Sequence, residues 1–493
     1  MNLELLLPEI VLLCGAISIL MLDVFLRKKI PAISHISHLL SLLLCAAALV
    51  IISENFTLET LIFNNMIKVN FFTSYIKAFI IVTLTSVLLF SVSFVLIESK
   101  ISAEFIALLF LATIGGMLMI SANSFLVFYL ALELQALSLY VLAALNRKSK
   151  KSAESGIKYF ILGSLASAIF LFGVSLIYGY SGTVNFSALS ELYPKTSSEI
   201  MKNVPIGVMV GFILVITAMF FKIAAAPFHM WSPDVYEGSA PIVTTFFAVV
   251  VKFTVTLAFI NLLINFDIRW LGLNKIFIVT ALLSFIVGSF GAIFQTNFKR
   301  LLAYSSIGHI GFILLSLSSF SKYGFSYAVF YSMIYAIISI GTFGFLNIIL
   351  CKNSNRHNHE DDNESGQIYD IKSFSGLSKT NPKMAFSLAV LMLSSAGIPP
   401  LAGFFSKFYV LSAIISSGFL YIAIIAVLFS VISAYYYLRI VKIMYFDKPN
   451  NVIILENNFN SKLIIMIAAL FNISLILFMK PMIAAITNFM PAL

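Results

Sequence analysis

Charge is scarce in this chain. Charged side chains make up 11% of its 493 residues, hydrophobic ones make up 60%, and the mean hydropathy is +1.01. A soluble domain carries about a quarter charged residues, so a water-soluble globule is excluded and the unit of organisation is the membrane span. Cysteine is scarce as well: Cys14, Cys45 and Cys351 stand apart, with no C-x-x-C pair. That removes the ligand pattern of a Cys-held iron–sulfur cluster or zinc site. No G-x-G-x-x-G follows a strand pattern and no Walker-type lysine loop is present, so nothing supports nucleotide binding. The net charge of +10 does not point to nucleic acid, because the basic residues lie between apolar runs, where they set topology.

What is present is a succession of apolar runs. About fourteen are long enough to cross a hydrocarbon core of ~30 Å. They fall near 5–26, 33–53, 73–97, 102–120, 123–145, 156–180, 207–230, 240–264, 272–295, 300–320, 325–350, 383–415, 419–445 and 461–485. The expected fold class is therefore an all-α polytopic membrane protein. Residues 1–100 supply three spans, 101–265 five, 266–446 five more and 447–493 the last, with a polar cytoplasmic loop over 351–382. The first run lacks an A-x-A cleavage pattern and precedes Arg27-Lys28-Lys29, as in a retained anchor with its N-terminus outside. Nineteen of the 31 lysines and arginines then lie in inside loops and seven in outside loops. An even number of spans puts both termini on the outer side. His357 and His359 belong to a solvated polar loop rather than a metal site.

Five lysines remain, all inside spans: Lys77, Lys158, Lys222, Lys252 and Lys407. Lys77 is near a helix end and is expected to snorkel. Among the acids, which otherwise keep to loops and span ends as Glu9 does, only Glu133 lies deep. Counting ~1.5 Å per residue from the nearest span end puts Glu133, Lys222, Lys252, His309 and Lys407 each roughly 13–17 Å deep. Intramembrane charge is costly and marks function. Lys158 is shallower and four residues after Glu154, so an ordinary ion pair is an equal reading.

Two spans are interrupted. In the seventh, Pro227 follows Lys222; in the twelfth, Pro399 and Pro400 precede Lys407. Proline has no N–H and crowds the carbonyl four residues back, so each helix must break there. Glu133 to Pro227 is 94 residues and His309 to Pro400 is 91. Spans four to eight and nine to thirteen are thus expected to form an inverted repeat of two five-helix units.

The deep Glu133, the block Phe221-Lys-Ile-Ala-Ala-Ala-Pro-Phe-His-Met-Trp-Ser-Pro-Asp-Val-Tyr-Glu-Gly-Ser-Ala-Pro241, Lys252 and Gly397-Ile-Pro-Pro-Leu-Ala-Gly-Phe-Phe-Ser-Lys407 carry a resemblance over nearly the whole chain. The chain resembles the antiporter-like membrane subunits of respiratory complex I, the NADH-quinone oxidoreductase, and of the related multisubunit cation/proton antiporters. Its opening Leu6-Leu-Pro-Glu-Ile10, the absence of room for a long lateral helix and a lysine on span twelve resemble one branch of that family. The resemblance implies a proton translocase subunit of a bacterial inner membrane, with a sodium/proton antiporter subunit as the alternative. It implies Glu133 modulating Lys222, Lys252 and His309 linking two half-channels, and Lys407 exchanging protons with the outside. Lys158 matches the family's span-six lysine. No cofactor is expected in this chain; NADH, flavin, iron–sulfur clusters and quinone belong to partner subunits. The partners implied are those neighbouring membrane subunits and the lipid bilayer.

Overall fold

A computed structural model describes residues 3–26, 33–54, 59–92, 102–146, 148–193, 204–265, 272–351, 369–449, 453–456 and 458–490. Among them, twelve helices are long and apolar enough to cross a membrane, and three shorter apolar helices accompany them: Ile206–Lys222, Pro382–Ala396 and Ala402–Ser416. The protein is a nearly all-helical multi-pass membrane protein, as its long apolar runs require. The exceptions are two antiparallel strand pairs, Thr60–Ile62 with Ile67–Val69 and Ile349–Cys351 with Ile453–Leu455. The loop holding His357 and His359 lies outside the described residues.

The chain divides into two compact units. One comprises Met1–Leu142, Phe160–Lys222 and Val250–Leu271; the other comprises Ala143–Tyr159, Ile223–Val249 and Gly272–Leu493.

In the first unit, Leu7–Leu26 packs on Ile33–Glu54 and Ser102–Ser121. Close approach is built from small residues. A Cβ on Gly211 would meet the Gly173 carbonyl oxygen at 2.7 Å, and a Cβ on Gly173 the Gly211 oxygen at 2.7 Å. Between helices in lipid, where apolar burial gives no drive, such contact replaces it. Lys77 departs from expectation. It is 2% exposed and pairs with Glu9 at 2.6 Å. It is buried rather than extended to the interface, and a carboxylate from another helix neutralises it. Glu9 lies in the first turn of Leu7–Leu26, at the span end as expected, but it is 4% exposed rather than solvated.

In the second unit, Phe298–Leu317 and Lys322–Leu346 are buried along most of their lengths, and Leu420–Phe446 and Phe459–Phe489 mostly expose apolar side chains. The first two form the core and the last two face lipid or neighbouring subunits. The helix starting at Phe298 has Asn297 as its cap, whose side chain accepts from the N–H groups of Lys299 and Arg300.

Both expected interruptions are present. Helix ends at Lys222 and resumes at Trp231; it ends again at Ala396 and resumes at Ala402. Ala224 and Gly397 adopt left-handed backbone, with φ of 59° and 87°. A third irregularity has no proline to announce it: Phe247–Val251 is wound as a π-helix immediately before Lys252. Such widened turns are frequent at functional positions.

Candidate functional site

Each group of titratable residues described below lies within a single unit.

In the first unit, Lys222 is the last residue of its helix, placed there by the break that follows. Its Nζ donates to Ser167 Oγ at 3.1 Å, from the neighbouring helix Lys150–Ser181. Glu133 is within electrostatic reach of Lys222 and of Tyr129 and Tyr140. Its Oε1 is buried and has no hydrogen-bond partner among the described residues. The expected Glu133–Lys222 ion pair is not formed within 4 Å here, although the carboxylate is near enough to act on the ammonium, which donates to Ser167. Lys252, 6% exposed, opens the helix Lys252–Asn265 directly after the π turn. Thr254, two residues further, accepts from Gln135 Nε2 at 3.0 Å.

In the second unit, Lys407 is 6% exposed and touches no carboxylate among the described residues. All three ammonium protons are nonetheless used. Nζ donates to the Ala396 oxygen at 2.8 Å, the Ser395 oxygen at 3.1 Å and Ser430 Oγ at 3.0 Å. Those two carbonyls belong to the last turn of Pro382–Ala396, where the break removes their helical partners. A helix C-terminus carries about half a negative charge, so it serves as counter-charge. The Phe312 ring lies 5.2 Å from the same Nζ and adds a cation–π contact.

His309 is held between two tyrosines: Nδ1 is 2.8 Å from Tyr331 Oη and Nε2 3.0 Å from Tyr437 Oη. Tyr437 Oη is in turn 2.8 Å from Ser305 Oγ. His309 and Lys407 line one small cavity, with Ser395, Phe312 and Tyr437, of about 10 Å³. That is about the volume one water molecule needs. The structure therefore joins two of the expected residues in one polar pocket, through groups able to donate and accept.

The third group is ionic. Lys158 pairs with Glu154 at 2.6 Å, as the four-residue spacing allows, and also with Asp234 at 2.8 Å. Arg300 Nη1 lies 2.9 Å from Asp234 and 2.9 Å from Glu237. Asp234 is on the short helix Trp231–Gly238, outside the long apolar helices. Burial works to raise its carboxyl, but Lys158 and Arg300 outweigh it and hold the group below its ordinary value. Lys299, one of the nineteen basic residues assigned to inside loops, is 5% exposed; its Nζ donates to the Ser239 oxygen at 3.0 Å and lies 4.4 Å from the Tyr369 ring.

Sequence reasoning passed over Ser167, Ser430, Tyr331 and Tyr437. Serine and tyrosine are too common in membrane helices to stand out without their neighbours. Asp234 and Glu237 were visible as two acids three residues apart in the quoted block. No group of three or more His, Cys, Asp or Glu side chains placed to hold a metal occurs among the described residues.

Residues 122–433 match the family described as NADH:quinone oxidoreductase/Mrp antiporter, TM. The chain is 41% identical over 447 residues to NADH-quinone oxidoreductase subunit N of Paramagnetospirillum magneticum, covering 90% of this chain and 88% of the relative. A solved chain of the membrane-bound sulfane sulfur reductase, an archaeal respiratory membrane complex, superposes with a TM-score of 0.82 at 26% identity, covering 98% of this chain and 96% of that one. A chain of respiratory complex I from Thermus thermophilus shares the fold, with a TM-score of 0.77 at 24% identity over 97% of this chain and 99% of that one.

Proposed function

We propose, for a chain that belongs to the family of NADH-quinone oxidoreductase subunit N, that it translocates protons along two sets of titratable residues, driven by redox chemistry in partner subunits. Oxidation of NADH and reduction of quinone take place in those partners, which hold the flavin, clusters and quinone. The membrane is the bacterial inner membrane, with both termini on the periplasmic side. Counting Ile206–Lys222 as one crossing and Pro382–Ala396 with Ala402–Ser416 as another gives fourteen spans.

The observation that carries the reading is Lys407: a buried ammonium held by freed carbonyls, beside His309 and a water-sized cavity. A lysine tied to a permanent carboxylate keeps its proton. One tied to a helix end changes its bonds whenever that end shifts, which suits a group that takes up and releases protons. Glu133 plays the corresponding part for Lys222. When it approaches, Lys222 holds its proton; when it withdraws, the counter-charge is lost and the proton is free to move on. The order of transfer is uptake on the cytoplasmic side near Lys158 or the start of the span holding Lys252, then Lys222 and Lys252, then His309, then release by Lys407. Pro227, Pro399 and Pro400 open the backbone that lets water reach these groups.

The alternative, a sodium/proton antiporter subunit, shares the family but not the 41% identity to subunit N along nine-tenths of the chain. Removing a group that carries the proton costs typically about 10²–10⁴-fold in its step. In membranes, Lys222→Met and Lys407→Met are expected to leave the complex assembled while lowering the protons moved per electron. An unchanged ratio in both variants would refute the reading.

A further inference from the structure

The short helix Trp231–Gly238 follows the first break and has no side-chain cap at its N-terminus. Eight residues cannot hold a helix by themselves, so its seat must come from what surrounds it. That seat is built, within the same unit, from the first turns of Lys150–Ser181 and from the helix Phe298–Leu317. On one side, a Cβ on Gly238 would meet the Lys151 oxygen at 2.6 Å, so glycine alone permits the approach to Lys150–Ser181. Ser155 Oγ then donates to the Asp234 oxygen at 3.1 Å and Lys158 pairs with the Asp234 carboxylate. On the other side are two consecutive residues of the helix Phe298–Leu317. Lys299 takes the Ser239 carbonyl where the short helix ends, and Arg300 bridges Asp234 and Glu237.

Asp234 and Glu237 are three residues apart, hence on one face, and a single guanidinium spans both. Arg300 in turn is placed by the Asn297 cap. The same helix carries His309 nine residues on, between Tyr331 and Tyr437. The chain that leaves Lys222 is thus tied, twelve residues on at Asp234, to the helix that positions His309.

We propose that Arg300 is a positioning residue for proton translocation, clamping Asp234 and Glu237 so that movement of the segment after the first break is transmitted to the helix that holds His309. Arg300 touches no transferred proton; it acts through the seat of Trp231–Gly238. The inference rests on the proton-translocating reading above.

The test uses membranes containing the whole complex, with Lys407→Met run in parallel. Three quantities are read: assembled complex by native electrophoresis, electron transfer from NADH to quinone, and protons moved per electron. Arg300→Gln is expected to assemble, to keep most of its electron transfer and to lose protons per electron. Arg300→Lys keeps the charge on a single nitrogen but not the length and planar shape of the guanidinium, and is expected to recover the ratio in part. The exchange Asp234→Arg with Arg300→Asp is expected to move more protons per electron than either single variant. A normal ratio in Arg300→Gln while Lys407→Met is defective overturns the clamp and leaves the translocating reading standing. A normal ratio in both overturns both. If Arg300→Gln fails to assemble, Arg300→Lys decides. Assembly with a reduced ratio supports the proposal. A normal ratio, or absence of the complex from that variant also, overturns it and assigns the cluster to folding.

Discussion

Lys407 shows how one side chain depends on a glycine ten residues earlier in the chain. Gly397 has a φ of +87°, and a Cβ there would lie 2.9 Å from Lys407 Cδ and 3.1 Å from its Nζ. Gly418 has nearly the same backbone, with a φ of +86°, but open space where its Cβ would be. Left-handed backbone costs a non-glycine residue about 1–2 kcal/mol at either position. Gly397→Ala must in addition push the ammonium from its carbonyls. It is expected to lower the protons moved per electron at equal amounts of complex, with Gly418→Ala showing the strain alone; equal ratios in the two variants would refute the contact's importance. The lysines themselves were legible in the sequence because a charge within an apolar run is conspicuous. Their partners were not. Tyr331 and Tyr437 lie 22 and 128 residues from His309, and no local pattern brings them together. Lys299 was misread because a basic residue at a span end looks like a topology signal, and Lys77 because its neutralising partner, Glu9, sits in another span.

At the scale of elements, the breaks were legible and the π turn was not. Proline forces the first kind; the second arises in Phe-Ala-Val-Val-Val, which is compatible with ordinary helix. Helix contacts were equally hidden, since a glycine in a membrane helix has many uses. The Gly173–Gly211 crossing gives the clearest test. Gly211→Ala inserts a methyl group against a backbone oxygen that cannot turn away, and overpacking of this kind costs typically 1–3 kcal/mol. The expected result is less assembled complex and a lower melting temperature. Gly179 on the same helix as Gly173 has nothing within 4 Å of its Cβ position. Gly179→Ala removes unfolded-chain entropy and is expected to be neutral or to stabilise by about 0.5–1 kcal/mol. Matching losses in both would mean that the crossing is not the tight point it looks to be.

For the whole molecule, hydropathy sufficed for the class, because only helices or closed barrels satisfy the backbone in lipid. It could not divide the chain as contacts do: the chain passes between the two compact units five times, and one of those points lies inside the helix Lys150–Ser181. The excess of basic residues in alternate loops predicts orientation. Single cysteines added at either terminus of a variant lacking Cys14, Cys45 and Cys351 are expected to react with a membrane-impermeant maleimide in intact cells with a permeable outer membrane, and one added beside Lys150 only after lysis. The opposite labelling would invert the topology. One last consequence belongs to the carbonyls of Ser395 and Ala396. A carboxylate counter-ion is gained or lost by a single codon and silenced by acid. Peptide oxygens are neither: every residue type supplies them, and none protonates in any physiological range. The negative pole that faces Lys407 is therefore beyond the reach of both pH and most mutations, and heredity can adjust only how far away it stands.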